Sequence, residues 1–253
     1  MATLAIGDIH GQRGVLLDLL SVVGEEAGRG DFVVFLGDYI DRGPDSRGCI
    51  EAILEFRSRS AATVVCLRGN HEDWLLNTRN DFTRHSWLLG MNGLDTVRSY
   101  SMPAARILEQ ARRDAGLRLY TERVPLPYEA FFDVMPASHL AFLSELRLSY
   151  VTEDCFCSHA GVNPRLPLAV QTPDSLTFGH ASFPAEYRGS TPIVYGHWND
   201  AVLDGGGWPA PNMRSHTIGV DTIAHGVLTA VRLPDRQVFQ SPGRPSECVP
   251  WKS

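Results

Sequence analysis

Three short apolar runs in the first third of the chain, each followed within two residues by a glycine, constrain the fold more than any other feature. The runs span residues 3–6, 31–36 and 63–67, and the glycines that follow them, Gly7, Gly37 and Gly69, are 30 and 32 residues apart. Unbroken apolar runs of this length are typical of strands that are buried on both faces of a sheet. The spacing is that of a β-α-β unit, so it predicts a parallel sheet with right-handed crossovers.

Helical patterns fill the two intervals between these runs. Apolar residues from Val15 to Val23 recur at helical spacing, and we expect Gly24 to end this first helix. A second apolar stripe runs from Ile50 to Phe56. The order β-α-β-α-β follows, which places the chain in the α/β class.

The middle of the chain breaks this rhythm. Residues 80–135 are mostly polar or weakly helical, and they include a predicted exposed helix at 106–118. We interpret this segment as an insertion that caps the sheet edge, not as a second domain. We therefore expect a single domain over residues 1–253, with a loose tail from about 241.

The second half of the chain predicts a second sheet. A helix is expected at 137–146, followed by strands near 147–151 and 155–158. Further short runs that alternate or are wholly apolar then occur at 193–195, 217–220, 226–232 and 237–239. No convincing helix separates these later runs, so we expect antiparallel pairs and hairpins among them.

Composition and charge exclude several classes of protein. The chain has 23 basic and 29 acidic residues, so it lacks the basic footprint of a nucleic-acid binder, and we expect no nucleic-acid partner. Every apolar run falls far short of the roughly 20 residues that span a membrane. No signal-peptide pattern is visible, and none of the five cysteines forms a C-x-x-C pair. We expect reduced thiols and a cytoplasmic location, with Cys155 and Cys157 as strand thiols rather than metal ligands.

Five predicted strand ends carry glycine beside aspartate, asparagine or histidine. The segments are GDIHG at 7–11, GDYIDRG at 37–43, RGNHE at 68–72, SHAG at 158–161 and GH at 196–197. Ligands of α/β sheets bind outside the carboxyl ends of strands, so side chains from these five loops should converge. Each segment alone has a plainer interpretation as a turn or a helix N-cap. Five of them in order, each at a strand end, are hard to assign to turns together.

The converging side chains have the chemistry of metal ligands. They are Asp8, His10, Asp38, Asn70, His71, His159 and His197. Carboxylate, amide oxygen and imidazole together suit Mn²⁺, Fe or Zn²⁺ better than a calcium or thiolate site. Seven such groups exceed the needs of one ion, so two ions sharing a bridging carboxylate are expected.

These motifs, in this order, resemble the signature of the calcineurin-like metallophosphoesterases. The DRG and NHE forms are similar to those of the phosphoprotein phosphatase family, bacterial type. The resemblance implies an α/β fold in which two mixed β-sheets form a sandwich flanked by helices. It also implies two divalent metal ions, with manganese the first choice and iron or zinc the alternatives.

The resemblance further implies a role for each site residue. Asp8 and His10 would bind the first metal, Asp38 would bridge both metals, and the second metal would be held by Asn70, His159 and His197. His71 would be the general acid, oriented by Asp41, and Arg42 would bind the phosphate. Two divalent ions lower the pKa of a shared water, and the resulting hydroxide would attack phosphorus.

The sequence departs from the family pattern in three places. The segment at 175–183 lacks the Trp-x-Arg arginine of related phosphatases; Arg188 is either its replacement or a surface loop residue. The final Gly-His is followed by Trp198-Asn199 instead of Thr-Pro, which resembles the symmetrical diadenosine tetraphosphate hydrolases. Asp221-Thr222-Ile223 replaces Asp-Thr-Gly, and the nearby His225 is either a site residue or a plain loop histidine.

We therefore expect a dinuclear-metal phosphomonoesterase that acts on phosphorylated proteins or on small aryl phosphate esters. The alternative enzyme is a symmetrical dinucleotide polyphosphate hydrolase, which Trp198 favours and the intact Asp41-Arg42 pair disfavours. A third interpretation is a metal-dependent binding module without activity. The complete set of ligands and acid argues against that interpretation.

Overall fold

The structure, a computed structural model, describes residues 1–243 and contains two five-stranded sheets. The strands are β1 (Thr3–Ile6), β2 (Phe32–Phe35), β3 (Thr63–Cys66), β4 (Ser149–Val151), β5 (Phe156–Ser158), β6 (Ile193–Tyr195), β7 (Val202–Leu203), β8 (Pro209–Ala210), β9 (Asn212–Met213), β10 (Thr217–Gly219), β11 (Leu228–Leu233) and β12 (Gln237–Ser241). The helices are α1 (Arg13–Glu26), α2 (Ser46–Arg59), α3 (Asn70–Asn80), α4 (Ser86–Gly90), α5 (Gly93–Tyr100), α6 (Met102–Ala115), α7 (Arg118–Thr121), α8 (Glu129–Phe132), α9 (Ala137–Glu145) and α10 (Pro173–Thr177). Two short 3-10 helices cover Leu168–Val170 and Ile223–His225.

The first sheet has the strand order β12-β11-β1-β2-β3. Strands β1, β2 and β3 are parallel, and their last residues Ile6, Phe35 and Cys66 lie side by side in register. The loops that follow these three strands therefore leave the sheet at the same edge. This confirms the predicted β-α-β-α-β order.

The second sheet has the order β4-β5-β6-β10-β9, and β7 and β8 form a separate two-stranded ribbon. Strand β6 is parallel to both β5 and β10, whereas the outer pairs β4-β5 and β10-β9 are antiparallel. The second sheet is therefore mixed, and so is the first, in which β1 is parallel to β2 and antiparallel to β11. The predicted fold class, two mixed sheets in a sandwich flanked by helices, is confirmed.

Alternation along the strands explains the layers. In β1, Leu4 and Ile6 face the helices, and Ala5 faces the other sheet, where it packs with Val194 and Ile218. All five of these side chains are fully buried. Since both faces of β1 are covered by apolar groups, its continuous apolar sequence follows directly.

The prediction that all late strands join the second sheet is wrong for β11 and β12. Strand β11 pairs antiparallel with β1, from Leu233 beside Thr3 to Ala230 beside Ile6, and β12 forms a hairpin with β11. The chain thus returns to the first sheet after completing the second. Local pattern identifies a strand but carries no information about a partner more than 200 residues away.

Two local predictions about helices also differ from the structure. Helix α1 continues through Gly24 to Glu26, because Gly24 lies against the ring of Phe56 on α2 and the chain turns to an extended conformation only at Ala27. The segment predicted as mostly polar or weakly helical contains α4 to α8 and buries Trp87 and Phe131 in the main core.

This segment packs on the helix layer. Helix α5 contacts α2, and α4 contacts α3. The helix expected at 106–118 is α6, which begins earlier, at Met102, and buries Ala105 and Leu108 on one side. The single-domain organisation stays a prediction.

The last described strand and the cysteines lie as follows. Strand β12 ends at Ser241, and residues 244–253, where most of the predicted loose tail falls, lie outside the described part, so the loose tail stays a prediction. Cys49, Cys66, Cys155 and Cys157 are free and buried. No helix within residues 1–243 is long and apolar enough to cross a membrane.

Candidate metal centre

The carboxyl ends of strands from both sheets form the centre. Loops after β1, β2 and β3 of the first sheet meet loops after β5 and β6 of the second. These loops bring together all seven predicted donor residues, which are Asp8, His10, Asp38, Asn70, His71, His159 and His197. All of them except His197 are buried.

Two glycines make this close approach possible. Gly37 has a φ of 118°, a conformation that residues with a side chain rarely adopt, and a Cβ there would lie 2.6 Å from the backbone nitrogen of Gly69 and 2.9 Å from Nδ1 of His159. A side chain at Gly196 would place its Cβ 2.0 Å from Oδ1 of Asp8. Glycine at these strand ends therefore lets the donor side chains from different loops approach one another.

Asp38 lies at the middle of the donor set. Its Oδ2 is 3.6 Å from Nε2 of His10 and 3.9 Å from Nε2 of His71, and its Oδ1 is 3.5 Å from Nε2 of His159. Donor atoms of Asp38, His10 and His71 lie within 4.8 Å of one another, and so do those of Asp38, His159 and His197. One carboxylate is thus shared by two donor groups.

Backbone carbonyls orient two of the imidazoles. Nδ1 of His10 is 3.1 Å from the carbonyl oxygen of Ile40, and Nδ1 of His159 is 3.1 Å from that of Leu36. A carbonyl accepts only, so each Nδ1 carries the proton, and each Nε2 presents a lone pair to the centre. This is the arrangement that fixes histidine as a metal ligand.

The remaining donors, Asp8 and Asn70, join one group each. Oδ2 of Asp8 is 4.0 Å from Nε2 of His10, and both Asp8 oxygens accept from the backbone N–H of His197 at 3.1 and 3.2 Å. Oδ1 of Asn70 is 3.0 Å from Nε2 of His159 and from Nδ1 of His197. Asn70 Oδ1 and the unprotonated His159 Nε2 are both acceptors, so their approach suits a cation between them.

Burial sets the charge state of the centre. It is the largest cause that raises the pKa of Asp8 and Asp38, and nearby carboxyl groups raise both pKa values further: Asp221 acts on Asp8, and Glu72 acts on Asp38. Burial also lowers the pKa of His197 to about 4. The rings are therefore neutral and able to donate lone pairs, while the carboxylates need compensating positive charge. The donor set fits divalent cations.

His71 and Asp41 form a buried pair beside this donor set. Nδ1–H of His71 donates to Oδ2 of Asp41 at 2.7 Å. Nε2 of His71 is buried and has no hydrogen-bond partner. Burial, and then the charge of Arg42, lower the pKa of His71 to about 3.

Two residues that the sequence did not single out hold Asp41. Oγ1 of Thr96 donates to Asp41 at 2.5 Å, and Nε1 of Trp87 donates at 3.0 Å. Both come from the segment at 80–135, where no motif marks them. Burial raises the pKa of Asp41, and these hydrogen bonds oppose that change.

Glu72 is a third residue that sequence reasoning missed. Its carboxylate accepts backbone N–H groups of Asp38 at 3.0 Å, Tyr39 at 2.8 Å and Gly69 at 3.0 Å. It therefore ties the loop of Asp38 to the start of α3. The signal was available, because a Glu three residues after a helix N-cap is the capping-box position.

The side chain of Arg42 reaches His10, one of the predicted metal ligands. Its Nη1 donates a hydrogen bond at 2.8 Å to Nε2 of His10, the nitrogen whose lone pair also faces the donor group.

Five residues of the site have left-handed φ values, between 45° and 69°: His10, Asp38, Asp41, Arg42 and His197. Such values are uncommon for residues other than glycine and mark a backbone shaped by its surroundings.

The residues after His197 reach the centre, whereas Arg188 and His225 do not. Nε1 of Trp198 donates to the carbonyl of Ala160 at 2.9 Å, and its ring centroid is 5.1 Å from that of His197. Oδ2 of Asp221 accepts from the backbone N–H of Asn199 at 2.7 Å. Arg188 is exposed and donates to carbonyls of its own loop, and His225 is exposed.

Comparisons with known proteins agree with this geometry. The profile of the calcineurin-like phosphoesterase family matches residues 1–226. A symmetrical bis(5'-nucleosyl)-tetraphosphatase of Nitrosomonas europaea is 27% identical over 96% of this chain and 98% of its own. Serine/threonine-protein phosphatase 1 of Salmonella typhimurium is 38% identical over 36% of this chain and 38% of its own.

A solved structure supports the fold. The crystal structure of a candidate diadenosine tetraphosphatase has a TM-score of 0.59 and 20% identity, and the match covers 96% of this chain and 94% of that one. The family profile spans most of the chain, and its relatives are phosphatases and hydrolases. This protein therefore belongs to the calcineurin-like phosphoesterase family and is a metal-dependent phosphoric ester hydrolase.

Proposed function

We propose that the protein hydrolyses dinucleoside polyphosphates symmetrically, releasing two nucleoside diphosphates from a dinucleoside tetraphosphate. The observation that carries this proposal is coverage: the tetraphosphatase relative matches 96% of the chain, whereas the protein phosphatase relative matches 36%. The sequence favoured a phosphomonoesterase, and the full-length relatives favour its alternative instead.

Aromatic side chains beside the donor set support this choice. Trp198 directly follows His197 and is 38% exposed. Phe178 lies 6.3 Å from Trp74, measured between ring centroids. Flat aromatic surfaces next to a phosphate centre suit substrates that carry nucleobases, because bases stack on such rings.

We propose that two metal ions occupy the centre. Asp8, His10 and Asp38 would hold one, and Asp38, Asn70, His159 and His197 would hold the other. Nitrogen and oxygen donors without thiolate favour manganese, with iron or zinc as alternatives. When bound, the ions would supply hydroxide at neutral pH and offset the charge of the phosphate oxygens.

The side chains of this chain would direct the reaction. A water molecule would release one proton to solvent, its oxygen would bond to one of the two central phosphorus atoms, and the bond from that phosphorus to the central bridging oxygen would break. Nε2 of His71 would give its proton to this leaving oxygen, and Asp41 would hold the ring in place. Burial is the main cause that lowers the pKa of His71, and a phosphate beside Arg42 would offset the second cause, the positive charge of Arg42. Arg42 would donate to two phosphate oxygens.

The test compares three substrates with one manganese-loaded preparation: diadenosine tetraphosphate, p-nitrophenyl phosphate and a phosphoserine peptide. We expect adenosine diphosphate as the sole nucleotide product, and a kcat/KM for the dinucleotide at least tenfold above that for the peptide. Formation of adenosine triphosphate and adenosine monophosphate would contradict symmetrical cleavage.

A phosphoprotein phosphatase is the second candidate. The intact pair of His71 and Asp41, at 2.7 Å, favours it, because a serine alkoxide leaves poorly without a proton. A higher kcat/KM for the phosphoserine peptide would select this function. The cytoplasmic location and the absence of a nucleic-acid partner stay predictions.

A further inference from the structure

A cleft of about 780 Å³ lies between α3 and the segment that carries α4 and α7. Trp74 and Asn77 of α3 line one side, and Arg84, Leu89 and Tyr120 line the other. None of these residues belongs to the donor set. The cleft is large enough for a nucleoside, which needs a few hundred Å³.

The cleft adjoins the metal centre. Trp74 follows Asn70 by four residues, so both lie on the same face of α3. The ring of Trp74 packs against Phe178, whose carbonyl accepts a hydrogen bond from the ring of His197. On the other side, Sδ of Met91 is 3.8 Å from Nδ2 of Asn70. A ligand anchored at the centre would therefore pass Trp74 on its way into the cleft.

The distances suit one half of a dinucleotide. Asn70 and Asn77 are seven residues apart on a helix, which corresponds to about 10 Å along its axis. A ribose and one further phosphate bridge a span of this size. The base would then lie beside Trp74 and Asn77 while the reacting phosphorus stays at the centre.

The lining has the chemistry of a base site. Trp74 and Tyr120 offer aromatic faces, and Tyr120 is 72% exposed. The side chain of Arg84 is 62% exposed, and its ion-pair partner Asp81 is 3.8 Å away, so the guanidinium can turn toward a ligand. Aromatic rings and an arginine plane are the groups on which bases stack.

We infer that this cleft is a nucleoside subsite in which Trp74 stacks against the base of a nucleotide whose phosphates lie at the metal centre. The inference rests on the proposed function, since the cleft would bind one nucleoside of the dinucleotide substrate. The second nucleoside would lie outside this cleft.

The experiment measures inhibition of p-nitrophenyl phosphate hydrolysis by the manganese-loaded enzyme. The two inhibitors are adenosine diphosphate and methyl diphosphate, which share the diphosphate and differ in the nucleoside. We expect adenosine diphosphate to inhibit at a concentration about 5- to 100-fold lower than methyl diphosphate, because that is the gain in affinity expected from stacking one base.

Variants test whether the preference for adenosine diphosphate over methyl diphosphate arises in the cleft. Trp74→Ala should remove most of it, Trp74→Phe should keep most of it, and Tyr120→Ala should weaken it a few fold. Tyr120 is so exposed that its truncation leaves the core intact, which keeps the test valid if Trp74→Ala does not fold. Trp208→Ala is the matched control, because Trp208 binds Gln240 of β12, and it should keep the preference.

Three results would overturn the inference. They are equal inhibition by both compounds in the unmodified enzyme, a full preference in folded Trp74→Ala and Tyr120→Ala, or a selective loss of phosphopeptide turnover in these variants. Failure of the proposed function gives a different result: the preference for adenosine diphosphate persists, but diadenosine tetraphosphate is not cleaved.

Discussion

The two sides of the metal centre are built in different ways. On the enclosed side, His71 and Asp41 are fully buried, and Asp41 is held by Trp87 and Thr96 from helices α4 and α5. On the open side, His197 is part-exposed, and the ring of the following Trp198 is held by a hydrogen bond to the carbonyl of Ala160 in the loop after β5. Helices support the first side, and loops support the second.

This difference separates two tasks. A proton donor must be aimed at one atom, and buried hydrogen bonds from rigid helices provide that precision. Substrates must enter and leave, and exposed loops with an aromatic rim allow this. We therefore expect changes on the enclosed side to alter the chemistry and changes on the open side to alter binding.

Asp38→Asn should have the largest effect, because Asp38 belongs to both sides. Losing its charge weakens both metal sites and exposes the ions to each other's repulsion. Each ion supplies several kcal/mol of charge stabilisation, so kcat/KM should fall by about four orders of magnitude or more. Metal analysis should find one ion or none per chain. Two retained ions with near-normal turnover would contradict the bridging role.

His71→Asn should test the enclosed side alone. It removes the proposed proton donor and leaves the proposed metal ligands in place. Turnover of a substrate with an alkoxide leaving group should fall by about 10²–10⁴, because such a group needs a proton. Nitrophenolate leaves well without one, so hydrolysis of p-nitrophenyl phosphate should fall much less. Equal losses on both substrates, with two metals bound, would show that His71 positions the phosphate or the nucleophile instead.

Arg42→Ala should weaken phosphate binding without loss of metal. A charge-assisted bidentate contact contributes roughly 1.5–3 kcal/mol, so kcat/KM should fall about 10- to 100-fold. Steady-state kinetics and metal analysis of the same preparation check this. Loss of metal would identify Arg42 as a support for His10, to which it donates a hydrogen bond at 2.8 Å.

Asp221→Ala should have the smallest effect and act on the open side. It removes the acceptor of the Asn199 N–H and so loosens the loop that carries His197. Residues that support a ligand typically contribute at least about tenfold to metal affinity, and we expect a loss of that size. Competition with a chelator measures it. Asp221→Asn keeps an acceptor oxygen and is the matched control; an equal loss in both variants would exclude the loop contact as the cause.

The first half of the fold and the shared donor set were predictable from the sequence, for a physical reason. Strands β1 to β3 are buried on both faces and pair with sequence neighbours, so local pattern determines both their existence and their order. Glycine beside Asp8, Asp38 and Asn70 marks the strand ends where the donors lie. The roles of these residues stay predictions.

The enclosed side could not be predicted in the same way. Thr96 lies 55 residues after Asp41 along the chain, and a threonine in a helix carries no sign of the carboxylate that it contacts. The pairing of β11 with β1 is a similar case. In both cases the partner is chosen by three-dimensional packing, which local periodicity does not encode.

The left-handed backbone of the site has a consequence for heat stability. His10, Asp38, Asp41, Arg42 and His197 each adopt φ values that glycine would reach without strain, and a strained residue costs on the order of 1–3 kcal/mol. A screen that rewards heat resistance alone should therefore recover glycine at such positions, with Arg42→Gly the least disruptive because Arg42 is exposed, whereas the other four are buried or half-buried. The more durable proteins from such a screen would be poorer enzymes.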